Sequence, residues 1–117
     1  MIGGKPVVEA RVGLLAAESG GLRSPLPTGT RSLLLVFPSV EHSGGEVKIG
    51  AVIDVIDGSA LVPGTDGVAV TIRFWADQAA VWATPGAVFT LWYGRVVGKG
   101  VVTRLADEVV GGWRGQV

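Results

Sequence analysis

The chain has 117 residues, ten basic and ten acidic side chains, and no cysteine. The cancelled charge leaves no global field to draw it to nucleic acid or an anionic membrane, and the lack of thiols removes disulfides, a thiolate nucleophile and cysteine-ligated metal. A composition 48% hydrophobic and 17% charged excludes disorder and suits one domain with its own core.

The first element is a strand. From Lys5 to Leu15, Val8, Ala10, Val12 and Leu14 share one face and Glu9 and Arg11 the other, the period-two pattern of a half-buried strand. These two charges also interrupt the N-terminal apolar run, and no apolar stretch reaches membrane-spanning length, so a soluble, cytoplasmic protein without a signal segment is expected. "ESGGLRSPLPTG" is a loop by its Gly, Pro and Ser content. Thr30 to Phe37, with its run "SLLLVF", reads as a short, buried strand. After the break at "HSGGE", Glu46 to Ile56 alternates again, with Val47, Ile49, Ala51, Ile53 and Val55 opposite Lys48 and Asp54. Val68 to Trp75 repeats the pattern with Val68, Val70, Ile72 and Phe74 against Arg73. "ADQAAVWATPG" has room for one helical turn before Pro85-Gly86 and is read as an irregular crossover. Val88–Tyr93 and Arg95–Leu105 complete the set.

Such strands, with turn signals between them and almost no helical periodicity, predict an all-β fold, a six-stranded closed antiparallel β-barrel. It occupies residues 1–106, with 107–117 as a C-terminal tail carrying Trp113. In a small barrel, glycines inside a strand permit bulges and close backbone approach, which is the role expected of Gly98 and Gly100. Strict alternation would put Lys99 on the face of Val97 and Val101; a bulge beside these glycines frees the charge from burial.

Chemistry is sparse. "YGRVVGKGVVTRL" has a Gly-Lys pair, but three residues separate Gly94 from Gly98 and Gly100 follows Lys99. A phosphate-binding loop needs four residues there and a Ser or Thr after the lysine. His42, the sole histidine, adjoins Glu41 on a loop, where neighbouring side chains seldom converge as an acid–base pair. Asp54 with Asp57, and Asp107 with Glu108, read as solvated strand ends. One histidine and scattered carboxylates make no metal site. No enzyme, cofactor or metal is expected.

Two sequence blocks and a turn between them resemble the C-terminal β-barrel, the third domain, of translation elongation factor Tu. "SGGLRSPLPTGTR" is similar to that family's Gly-Gly loop at Gly20, Gly21, Pro25, Gly29 and Arg31. "GRVVGKGVV" is similar to its closing strand at Gly94, Arg95, Val97, Gly98, Gly100, Val101 and Val102, and "LVPGTDGVAVTI" looks like its Pro-Gly-Asp turn. The resemblance implies a stand-alone barrel of that type, without the GTPase domain and so without GTP binding. In the family this barrel packs on that domain and lies near aminoacyl-tRNA. Departures fall on the tRNA side: Leu33 and Leu22 replace polar family residues, and Trp92-Tyr93-Gly94 shortens a charged Gly-Gly turn.

Two functions follow as expectations. One is a non-catalytic binding module that engages a protein partner or itself, for which Trp75, Trp82 and Trp92 are candidate anchors. The alternative is an RNA or tRNA binder linked to translation, with Arg23, Arg31, Arg95 and Lys99 gathered at one barrel end and Trp92 and Tyr93 offering stacking faces. Against it stands a structural role, in which Arg31 and Arg95 brace loops and the aromatics plug the rim.

Overall fold

Period-two strands give a sheet one apolar face to hide. In the computed structural model, which describes residues 6–38 and 45–106, the sheet hides that face by closing on itself. The strands are β1 (Val7–Leu14), β2 (Leu34–Pro38), β3 (Glu46–Val55), β4 (Val68–Phe74), β5 (Val88–Trp92) and β6 (Val96–Leu105). They form a closed barrel in the order β1-β4-β3-β2-β5-β6, every ladder antiparallel. This is the fold class the sequence predicts. Glu41, His42, Asp107, Glu108 and Trp113 lie outside the described residues.

The interior is filled by the faces that alternation marked. Val8, Ala10, Val12 and Leu14 of β1, Ile49, Ala51, Ile53 and Val55 of β3, and Val70, Ile72 and Phe74 of β4 are all buried. Leu35 and Phe37 of β2, Phe89 and Leu91 of β5, and Val97 and Val102 of β6 join them in the core.

The second strand starts later than its apolar run suggested. Thr30 meets β3 in an isolated bridge instead, accepting from the Ile53 N–H at 3.0 Å, while the Gly29 N–H donates to the Ile53 carbonyl at 2.8 Å. Gly29 sits at φ +82°, a left-handed turn that glycine adopts without strain. Upstream, Leu26 and Leu61 exchange backbone hydrogen bonds of 2.9 and 2.7 Å. The segment between β1 and β2 therefore crosses to β3 before entering the sheet, and Leu22, Leu26 and Leu33 pack against the core. The crossover after β4 holds a short 3₁₀ turn, Asp77–Val81, that buries Ala79.

The expected bulge is present. The β5–β6 ladder pairs Leu91 with Gly98 and Trp92 with Val96, which leaves Val97 as the extra residue. Val97 is fully buried while Lys99 is exposed: one inserted residue reverses the facing of everything beyond it.

Candidate interaction surface

A closed barrel has a second face to every strand, and its exterior is chemically divided. Over β1, β3 and β4 it carries the ion pairs and charge-assisted bonds. Arg73 meets Asp54 at 2.8 Å, and Arg104 of β6 forms two bonds to Glu9, at 3.0 and 2.7 Å. Arg11 donates to the Gly67 carbonyl at 3.0 Å. Glu9 raises the affinity of the Arg104 guanidinium for its proton, first through the hydrogen bond and then through its charge. Asp57, past the end of β3, accepts from the Ser59 hydroxyl at 2.6 Å and its N–H at 2.9 Å. Those two bonds hold its carboxyl below the ordinary aspartate value.

Over β2, β5 and the adjoining part of β6 the exterior is apolar. Because Leu35 and Phe37 point inward, alternation sends Leu34, Val36 and Pro38 outward. On β5, Val88, Thr90 and Trp92 point outward by the same rule. The register joins them: Leu34 faces Trp92 and Val36 faces Thr90 across one ladder, and Val88 faces Val101 and Thr90 faces Lys99 across the next. Gly50 of β3, opposite Leu34, extends the panel by lacking a side chain. A Cβ there would strike the Trp75 ring, whose Cδ2 lies 3.1 Å away. Trp75 is 49% exposed and Val88 60%.

The candidate residues divide between this panel and its surroundings. Trp92 belongs to the panel, half-buried, with the Lys48 ammonium 4.6 Å from its ring centroid, a cation–π contact. Lys99 stands at the panel's β6 border, exposed. Tyr93 is 49% exposed in the β5–β6 turn, where its N–H donates to the Arg95 carbonyl at 2.8 Å. Arg95 braces a loop: its Nε donates to the Gly20 carbonyl at 2.8 Å and its Nη2 to that of Gly21 at 3.0 Å. Arg23 and Arg31 are exposed on the crossing segment. The bridge at Thr30 sets Arg31 beside β3, whereas Lys99 lies on β6, three strands away in either direction around the barrel. Arg31 and Lys99 thus belong to opposite sides of the barrel.

Arg95→Ala is expected to lower stability by about 1 kcal/mol, the net worth of a typical hydrogen bond. Amide exchange should quicken at Ser19–Gly21. Arg95→Lys should recover little, because one ammonium does not reproduce a planar fork spanning two carbonyls. Wild-type exchange in the Ala variant would show that the brace is ornamental.

Sequence reasoning missed Leu34, Val88 and Val101 as outward-facing residues of this panel, with Val36 facing the same way but only 5% exposed, although the unbroken run "SLLLVF" already made β2 apolar on both faces. Among the described residues no set of three or more His, Cys, Asp or Glu is placed to hold a metal, and no helix is long and apolar enough to cross a membrane. No protein-family model matches the chain, and a search of curated proteins gives no match.

Proposed function

We propose that the chain is a non-catalytic binding module of the cytoplasm, a barrel of the elongation factor Tu third-domain type, and that it engages a protein partner through the apolar panel over β2 and β5. The observation that carries this reading is the division of the exterior. Ion pairs and charge-assisted bonds occupy the β1–β4–β3 side. Leu34, Val88, Trp92 and Val101 lie together by register on the other, around Val36, which faces the same way and is 5% exposed. A contiguous apolar patch rimmed by polar groups is the mark of a docking surface, and tryptophan is enriched among the residues that dominate such contacts. The RNA-binding alternative draws less support, since Arg95 is engaged with carbonyls and Arg31 sits beside β3.

Val88→Glu tests the reading, because its side chain is 60% exposed and a charge there leaves the core intact. The expected result is a stoichiometric protein partner, or a self-associated species in light scattering, that wild type forms and the variant loses. A monomer retaining nothing, or a partner held equally by both forms, would count against the module. A salt-sensitive gel shift with RNA would favour the alternative.

A further inference from the structure

A groove of about 610 Å3 lies on this panel, lined by Val36, Pro38, Val88, Phe89 and Val101 among others. Its origin is a divergence of strands. The β2–β5 ladder ends at the pair Val36–Thr90, yet β2 continues to Pro38 and β5 begins at Val88, so the two part and the buried Phe89 lies at the base. Pro38 carries no N–H, and only a residue or two of each strand runs on past the ladder. An incoming segment therefore has no useful edge to extend, and recognition must rest on side chains.

The rim has opposite charges on opposite sides. Glu46, paired in register with Pro38, stands on the β3 side, and Lys99 on the β6 side. Neither side chain has a hydrogen-bond or ion-pair partner among the described residues. The other charged rim groups, Arg11 and Asp66, are already bound to the Gly67 carbonyl and N–H, at 3.0 and 2.9 Å. From β3 to β6 by way of β2 and β5 is three strand spacings at about 4.8 Å each, and Glu46 stands two residues along β3 from the row Lys48–Val36–Thr90–Lys99, so the two backbone positions are roughly 16 Å apart, a gap their long side chains narrow. An extended chain advances about 3.3 Å per residue, so four residues cover roughly that span, and residues i, i+2 and i+4 share one face.

We propose that the groove takes an extended segment of a partner protein bearing a basic residue, an apolar residue two positions away and an acidic residue two further on, in either chain direction. The base pairs with Glu46, the apolar side chain seats between Val36 and Val88, and the acid pairs with Lys99. This rests on the module reading above and narrows it to one site and one ligand chemistry.

The test is selection of randomised, phage-displayed heptapeptides on the full-length protein. The expected result is enrichment of base-x-apolar-x-acid, with Glu46→Lys changing the preferred base to an acid and Lys99→Glu changing the preferred acid to a base. A synthetic peptide, acetyl-Gly-Lys-Thr-Val-Thr-Glu-Gly-amide, should bind each single reversal about two- to fivefold more weakly than wild type, the range for exposed ion pairs. Enrichment of nothing, or of sequences indifferent to both reversals, overturns the proposal. So does sedimentation showing self-association that Glu46→Lys abolishes, which gives the groove to a second copy. Peptides selected by Trp113→Ala but not by wild type would give it to the chain's own C-terminal segment. A partner lost on Val88→Glu but retained by both charge reversals, with no peptide selected, overturns this proposal and leaves the module reading standing.

Discussion

Phe37→Ala is expected to lower the free energy of unfolding by about 3–5 kcal/mol, the range for truncating a buried aromatic side chain. Phe37 is 1% exposed, and its ring lies 6.2 Å from that of Phe74 and 5.4 Å from that of Phe89, tilted 48° and 51°. Three strands that are not all neighbours, β2, β4 and β5, thus meet at one aromatic cluster inside the barrel. Two tilted aromatic contacts are lost together with the buried area, each contact worth about 0.5–1.5 kcal/mol beyond area. The surrounding ladder is closed, so it has little freedom to collapse into the space left behind. Urea denaturation should show a lower midpoint with an unchanged slope. A loss under about 1.5 kcal/mol, below the usual range for such truncations, would mean that the barrel repacks freely.

Gly100→Ala is the second large effect, and the smallest possible addition of atoms causes it. A Cβ at this position falls 2.6 Å from Cζ of Phe89 and 2.8 Å from the Arg11 carbonyl oxygen. The ring can tilt, but the carbonyl belongs to the strand paired with β6 through Val12–Gly100, so the ladder itself must shift. Overpacking of this kind costs roughly 1–3 kcal/mol. Adding Phe89→Leu should relieve the ring clash and not the backbone clash. The double variant is then more stable than the sum of the single losses implies, but still less stable than Phe89→Leu alone. A neutral single substitution would contradict the close β1–β6 approach. Gly98 is confined in the same way, between the Gly13 carbonyl and the side chains of Leu14 and Leu91.

Those glycines also show how far the site could be read in advance. Gly98 and Gly100 pointed to a bulge because a charged residue between them had no place inside, and Val97 is the residue the bulge inserts. The later start of β2 was not legible. Thr30 and Arg31 adjoin an apolar run, yet a single bridge to Ile53 holds Thr30 beside β3. A crossing segment with two isolated bridges leaves no periodic trace. The positions of the arginines were not legible for a similar reason: Arg31 and Arg95 are placed by loops, and Arg95 is committed to two carbonyls of another loop.

Local alternation determined which side of β1, β3 and β4 faces inward, because the direction of successive side chains depends only on the extended backbone. It also determined that β2 would be apolar on both sides, without saying what the outer side would meet. The tertiary register decided that. Hydrogen bonds between residues distant in the chain set Leu34 and Val36 against Trp92 and Thr90, and Val88 beside Val101. An exterior panel is a property of strand neighbours, and neighbours are chosen by closing the whole sheet, not by any one strand.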